Sequence, residues 1–248
     1  NFTSSIDNGF GIGSAVAMGQ SSLHLEDTFL GSVSSSNIDV SESMLIEVTK
    51  SDVSGNSLSI MDMHDSFVEA DSIVISMLDQ SVVFIKDVIG SDVVNSIIDG
   101  QNLGLYQVSD SQLAATDSYF NRIERSDIQS NGGYYSFLFE SDLRINDSVV
   151  LNTKFSKVNA QRQFIKYLDH SYLIGNDSFM AHINFSEIYG DKNRLLIMKD
   201  SYLKGHSNIS FLIDQTIVEG ANNMVFLSQS SSIEGDDNRI FGHNNSIS

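Results

Sequence analysis

A serine or threonine recurs every 15 residues along almost the whole chain. Stepping by 15 from Ser21 to Ser246 gives sixteen positions, of which fifteen are serine and one is threonine. A fixed period of this length is the sequence signature of a repeat architecture, in which each repeat is one structural unit stacked on the next. The chain is therefore limited to a stacked array of similar 15-residue units.

Apolar residues occupy fixed positions within each repeat, counted from its serine as position 0. Position 2 is aliphatic in the first fifteen repeats, positions 9 and 12 are often aliphatic, and position 4 is glycine or alanine in ten repeats. The spacing of two is the period of a β-strand, and small residues suit a corner where two backbone segments come close. The sequence therefore predicts an all-β fold: a single β-solenoid of 15-residue coils with two short parallel strands each.

The domain organisation follows from the register of the repeat. Residues 21–248 are predicted to form one β-solenoid of about fifteen repeats, and residues 1–20 its irregular first coil or coils. The chain contains no proline. This fits the prediction, because a proline removes a hydrogen bond from a strand ladder.

The charge of the chain excludes two classes of partner. With 32 acidic and 14 basic residues the formal net charge is −18, which repels phosphate backbones and anionic lipids. No run approaches the roughly 18 apolar residues of a membrane span. We therefore expect no nucleic-acid partner and no membrane insertion by this segment.

The two arms of a coil differ on their outward sides. In the first arm the outward positions 1 and 3 are mostly polar, whereas about 20 of 30 residues at the outward positions 8 and 10 of the second arm are apolar. An apolar stripe that long exceeds what a monomer usually exposes, so we expect self-association through it, as a homotrimer or a filament. The alternative is that inward and outward positions are exchanged in the second arm, where an extra residue must form a bulge. The candidate assembly-face residues are Phe29, Met44, Tyr119, Tyr134, Phe164, Phe179, Phe211, Phe226 and Phe241.

Two stretches of the chain, residues 14–21 and 231–248, resemble a known family. They are similar to the Ser/Asn-x-aliphatic-x-Gly arms of the left-handed β-roll (YadA-like) heads of trimeric autotransporter adhesins. The resemblance implies a left-handed coil and a homotrimer of parallel solenoids that is extracellular or on a bacterial cell surface. It also implies a structural and adhesive function as a head or shaft, with host matrix or surface glycans as partners. The middle of the chain is richer in Phe, Tyr, Ile and Met than those heads, so a self-assembling extracellular filament or phage fibre subunit is the alternative.

Few side chains suggest chemistry. The sixteen equivalent hydroxyls are expected to bond the backbone at a corner, because a nucleophile needs a base beside one particular serine. Position 6 is often acidic and could collect Ca²⁺, but Arg162 and Lys192 interrupt the column, and we otherwise expect no cofactor. A polysaccharide-degrading enzyme would need clustered carboxylates and bases, and no coil stands out in that way. A carbohydrate-active enzyme is therefore the least favoured hypothesis, and we expect no catalytic activity.

Overall fold

The chain folds into a single parallel β-solenoid of about 14 turns with roughly 15 residues per coil. The structure is a computed structural model that describes residues 3–6, 12–13, 22–26, 29–35, 37–242 and 246–247. These residues contain no helix, and hence none long and apolar enough to cross a membrane. The predicted all-β solenoid is confirmed. The left-handed coil implied by the resemblance stays a prediction.

The chain divides into two compact units, of which the first is Asn1–Asp127. Its strands pair in parallel, and the usual register joins residues 15 apart, such as Val53 with Val68. The first described pairs are wider, because Thr3 pairs with Ser22 and Ile12 pairs with Phe29. The strands are β1 (Thr3–Ile6), β2 (Ile12–Gly13), β3 (Ser22–Glu26), β4 (Phe29–Ser34), β5 (Asn37–Ser41), β6 (Met44–Thr49), β7 (Asp52–Asn56), β8 (Leu58–His64), β9 (Phe67–Asp79), β10 (Val82–Val94), β11 (Ile97–Gln101), β12 (Leu103–Ser109) and β13 (Gln112–Glu124).

The second unit is Ile128–Ser248. Its pairing is also parallel with the same period, as between Val158 and Leu173. From Asp127 onward the strands are β14 (Asp127–Phe139), β15 (Asp142–Lys154), β16 (Lys157–Gln161), β17 (Phe164–Asp169), β18 (Tyr172–Asn176), β19 (Phe179–Asn184), β20 (Glu187–Tyr189), β21 (Arg194–Leu195), β22 (Met198–Lys199), β23 (Tyr202–Lys204), β24 (Ile209–Asp214), β25 (Ile217–Glu219), β26 (Met224–Gln229), β27 (Ser232–Glu234), β28 (Arg239–Phe241) and β29 (Ser246–Ile247).

The core of each unit consists of the columns that the repeat predicted to face inward. In the coil that begins at Ser66, the side chains at positions 2, 4, 9 and 12 are all buried. These are Val68, Ala70, Ile75 and Leu78. Position 7, which the sequence analysis did not assign, is buried as well. Positions 8 and 10 remain on the outside, so the alternative in which the two sides are exchanged is wrong.

A coil bends at three positions rather than at the two corners that the sequence predicted. The coil that begins at Ser96 has positive φ at Asn102 (52°), Gln107 (57°) and Asp110 (52°), which are positions 6, 11 and 14. Each residue with positive φ lies between two inward-facing residues that are three positions apart in the sequence instead of two. The bend at position 11 is the predicted bulge of the second arm, and it turns both position 10 and position 11 outward.

The serine column bonds the backbone, as predicted. The backbone N–H of Ser96 donates to Oγ of Ser111 in the next coil at 3.1 Å, and Oγ of Ser96 donates to the carbonyl of Val94 at 2.8 Å. In the second unit the N–H of Ser156 likewise donates to Oγ of Ser171 at 3.2 Å. A buried hydroxyl and a buried amide are thus satisfied together in each coil, which accounts for the regularity of the column.

Position 7 forms a second polar ladder in the second unit, made of asparagines. The N–H of Asn193 donates to Oδ1 of Asn208 at 2.8 Å, and Nδ2 of Asn208 donates to the carbonyl of Gly190 at 3.0 Å. The small column at position 4 gives the backbones room, because a Cβ on Gly205 would lie 2.0 Å from the Gly190 carbonyl oxygen. Asparagine at position 7 and glycine at position 4 therefore belong to one packing arrangement.

Candidate interaction surfaces

The nine predicted assembly-face residues lie on the outward side of the second arm. Five are exposed and four are half-buried. Their outward orientation agrees with the prediction, whereas self-association through them stays a prediction. The exposed residues are Tyr119 (48%), Phe164 (40%), Phe179 (38%), Phe211 (40%) and Phe241 (50%), and the half-buried ones are Phe29, Met44, Tyr134 and Phe226.

Some of these residues meet their neighbours one coil away and others do not. In the first unit Phe29 pairs with Met44, whereas Tyr119 lies beside Gly104. In the second unit Phe164 stacks on Phe179 with ring centroids 5.5 Å apart and planes 9° apart.

A longer stack runs through the last coils of the second unit. Phe226 lies between Phe211 at 4.8 Å and Phe241 at 4.9 Å, with interplanar angles of 8° and 12°. Stacked rings cover each other's faces and leave mainly their edges to solvent. This explains why Phe226 is half-buried although it points outward.

A third outward column at position 11 was missed by the sequence analysis. The spacing of the inward columns contained the signal, because positions 9 and 12 are three apart and leave two residues outside between them. With this column, 15 of the 21 exposed large hydrophobic residues in the described part of the chain lie at positions 8, 10 and 11 of the second arm. The column includes Met77 (47%), Phe137 (56%), Tyr167 (45%), Leu212 (47%) and Leu227 (63%).

The first arm of the second unit carries a cluster of tyrosines and charged residues, which we call the tyrosine cluster: Tyr172, Tyr189, Tyr202, Glu187, Lys204 and Glu219. The ring centroids of Tyr172 and Tyr189 are 5.1 Å apart, and those of Tyr189 and Tyr202 are 5.7 Å apart. The interplanar angles are 37° and 54°, so the rings are tilted rather than stacked.

Hydrogen bonds connect the tyrosine cluster across its coils. The Tyr189 hydroxyl donates to Oε2 of Glu187 at 3.2 Å, and the Tyr202 hydroxyl donates to Oε2 of Glu219. Lys204 Nζ also donates to Oε2 of Glu219, at 3.0 Å. The cluster thus brings two carboxylates and one base together in the coils that begin at Ser186, Ser201 and Thr216, and the expectation of no catalytic activity stays a prediction.

The contacts within the cluster fix its protonation states. Desolvation, and then the bond to Glu219, raises the pKa of the Tyr202 phenol, and desolvation and Glu187 do the same for Tyr189. The hydrogen bonds from Tyr202 and Lys204 hold the pKa of Glu219 below its usual range, and Glu219 raises the pKa of Lys204. At neutral pH both phenols are therefore donors, Glu219 is an anion and Lys204 is a cation.

The acidic column at position 6 is partly neutralised by basic neighbours. The Arg162 guanidinium donates from Nε to Oδ1 of Asp147 at 2.6 Å, and these bonds hold the pKa of Asp147 below its usual range. In the described part of the chain, no three or more His, Asp or Glu side chains are grouped to hold a metal ion. Ca²⁺ binding stays a prediction, and Asp27 of this column lies outside the described residues.

A groove of about 570 Å³ lies along positions 6 to 8 of the first unit. Its sides include Leu58, Ile73 and Ile89, and Asn102 Nδ2 donates to Oδ1 of Asp87 at 2.8 Å. Asp87 is the one ionisable residue among those that line it. The groove therefore lacks the pair of carboxylates that glycoside hydrolysis requires.

No protein-family model matches the chain, and no curated protein matches its sequence. Solved structures that the chain matches weakly include the tailspike of a Pseudomonas phage, at 10% identity and a TM-score of 0.23. They also include a mannuronic acid specific polysaccharide family 6 lyase from human gut microbiota (8%, 0.22) and the A-module of a mannuronan C-5 epimerase from Azotobacter vinelandii (10%, 0.20).

The extent of these matches differs between the three structures. The matches cover 82%, 89% and 93% of this chain, and 48%, 78% and 88% of the respective solved chains. The chain thus spans about half the length of the tailspike, 48%. At these identities and scores the matches assign neither a fold nor an activity to this chain, and the resemblance to YadA-like heads stays a prediction.

Proposed function

We propose that this chain is an extracellular structural and adhesive scaffold whose solenoids associate through the outward side of the second arm. The observation that carries the proposal is the concentration, among the residues that the structure describes, of 15 of the 21 exposed large hydrophobic residues at positions 8, 10 and 11. Apolar surface repeated in this way, coil after coil, is far from the single scattered residues that a monomer tolerates. Burial in an assembly would remove it from water.

The period of the solenoid favours a second copy of the same chain as the partner. Equivalent residues recur once per coil, at a spacing of about 4.8 Å. A partner that covers such a column over many coils needs the same spacing, and another copy of this solenoid has it by construction. The resemblance to trimeric adhesin heads supports three parallel copies on a bacterial surface, with the more polar first arm left free for contacts with host matrix or glycans.

The proposed role is non-catalytic. Corner serines such as Ser96 and Ser156 donate their hydroxyls to backbone carbonyls, at 2.8 Å and 2.9 Å. Oγ of each also accepts a backbone N–H from the preceding coil. Hydroxyls engaged in this way are unsuited to nucleophilic attack, which needs a base beside the serine.

Sedimentation equilibrium at micromolar concentration tests the proposal. We expect the mass of three chains for the natural protein. The variant Phe179→Ser/Phe211→Ser should associate at least about tenfold more weakly, since each buried phenylalanine contributes about 1.5–3 kcal/mol. The matched control is Ile174→Ser/Ile217→Ser, which removes two exposed apolar residues from the first arm and should leave the mass unchanged. A soluble monomer of the natural chain would overturn the proposal, and end-to-end filaments in electron micrographs would indicate a filament subunit instead.

A further inference from the structure

The tyrosine cluster departs from the pattern of its arm. Positions 1 and 3 are mostly polar along the chain, yet Tyr172 and Tyr202 occupy position 1 and Tyr189 occupies position 3 in three successive coils. Parallel pairing brings these coils side by side, since Tyr172 pairs with Glu187 and Glu187 pairs with Tyr202. Three rings therefore form one continuous zigzag across the sheet.

The hydroxyl bonds restrict where these rings can lie. Tyr202 reaches Glu219, which belongs to the next coil, and Tyr189 reaches Glu187 on its own strand. A phenol whose oxygen bonds a carboxylate on the same sheet lies along that sheet instead of projecting away from it. All three tyrosines are half-buried, and the tilt between their rings leaves part of each ring open to solvent.

The polar groups around the rings include both hydrogen-bond acceptors and hydrogen-bond donors. Glu187 and Glu219 are acceptors, whereas Lys204 carries three N–H donors, of which the bond to Glu219 Oε2 uses one. Ligand hydroxyls can donate and accept at once, so they match a surface that offers both kinds of group. Ring faces in turn suit the C–H-rich face of a pyranose.

We propose that the tyrosine cluster binds a neutral, hydroxyl-rich polysaccharide, whose sugar rings lie on Tyr172, Tyr189 and Tyr202 while their hydroxyls bond Glu187, Lys204 and Glu219. The inference rests on the proposed adhesive function and names the class of ligand. It places the binding surface on the first arm, away from the columns assigned to self-association.

Charge decides between neutral and anionic polysaccharides. Asp191 follows the cluster at position 5, and Glu234 pairs with Glu219. With Glu187 and Glu219 they give four carboxylates against two cations, Lys204 and the Lys157 that pairs with Tyr172. The imidazole of His206 contacts Asp191 at 3.3 Å. A polyuronate would bring its own carboxylates against this surface and be repelled. A neutral chain meets no such penalty.

Affinity electrophoresis of the full chain in gels that contain glucomannan, laminarin or alginate tests the proposal. We expect the natural protein to be retarded by a neutral polysaccharide and not by alginate, and the variant Tyr189→Ala/Tyr202→Ala to bind at least about tenfold more weakly. The variant Tyr189→Phe/Tyr202→Phe keeps the ring faces and loses only the hydroxyls, so we expect intermediate retardation. The matched control, Phe67→Ala/Phe84→Ala, removes two neighbouring aromatic residues from the first arm of the first unit, off the assembly face, and should bind as the natural protein does.

Sedimentation of the same preparations separates this proposal from the assembly proposal. The variants at Tyr189 and Tyr202 should retain the mass of the natural protein. Retardation by alginate alone, no retardation by either neutral polysaccharide, or equal retardation of the natural protein and the Tyr189→Ala/Tyr202→Ala variant would each overturn the glycan proposal. None of these results would bear on self-association.

Discussion

A buried asparagine in this fold is stable because residues one coil away complete its hydrogen bonds. The Asn208 side chain is fully buried, accepts the Asn193 N–H at 2.8 Å and donates to the Gly190 carbonyl at 3.0 Å. The variant Asn208→Leu would leave both backbone groups buried without a partner. Since each such group costs about 1–3 kcal/mol, we expect the free energy of unfolding, measured by urea denaturation, to fall by about 2–5 kcal/mol.

The variant Asn208→Ser is the matched control. Ser178 shows what a serine does at this position, because its Oγ accepts the Gln163 N–H at 3.1 Å and donates to the Asn176 carbonyl at 3.0 Å. The control should therefore satisfy the Asn193 N–H and lose only the longer bond to Gly190, with about half the destabilisation. Equal stability of the leucine variant and the natural chain would contradict the ladder as a source of stability.

At the scale of the strand and its bends, the period of the sequence was enough to predict the inward columns but not every bend. The bulge expected in the second arm could not be assigned to position 11, because residues there include Met77, Leu212 and Leu227, and side chains of this kind rarely adopt positive φ. No local turn signal therefore marked it. Its position follows only from the requirement that positions 9 and 12 both face inward.

The tyrosine cluster could not be predicted for a different reason. Tyr172, Tyr189 and Tyr202 are 17 and 13 residues apart in the sequence, so none lies in line with the next by the 15-residue period. They become neighbours through diagonal contacts between columns 1 and 3. Such contacts depend on the sheet register and on side-chain length, which the repeat pattern alone does not contain.

The left-handed bend at position 11 carries strain that can be tested. Leu227 has φ of 51° and is 63% exposed. Its backbone is therefore in the unfavourable left-handed region, and its side chain gains little burial within its own chain. The variant Leu227→Asn should raise the free energy of unfolding of the dissociated chain by about 1 kcal/mol, because asparagine tolerates this region better. It should also weaken self-association, since it removes apolar surface from the second arm.

The matched control is Gln215→Asn, at a bend with φ of 47° that carries no apolar side chain. Urea denaturation below the association range and sedimentation above it would be measured for both variants. The control should stabilise by a similar amount, because glutamine carries the same backbone cost as leucine in this region, and should leave association unchanged. If Leu227→Asn associated as tightly as the natural chain, position 11 would lie outside the assembly face.

Over the whole molecule, negative charge is distributed unevenly along the chain. Residues 1–127 carry 19 acidic and 4 basic side chains, whereas residues 128–248 carry 13 and 10. Parallel copies bring the strongly acidic segments of neighbouring chains close together, so the proposed apolar association has to overcome charge repulsion.

Salt should therefore strengthen the assembly. The Debye length falls from about 30 Å at 0.01 M salt to about 10 Å at 0.1 M and about 3 Å at 1 M, so repulsion between copies is progressively screened while apolar burial is retained. We expect the association constant from sedimentation equilibrium to rise at least about tenfold between 0.01 M and 0.5 M NaCl. The variant Phe179→Ser/Phe211→Ser should associate at least about tenfold more weakly than the natural protein at both concentrations, because screening reduces repulsion but does not restore the lost apolar contact. An association that weakens as salt is added would instead indicate that ion pairs hold the copies together, and the apolar second arm would then need another occupant.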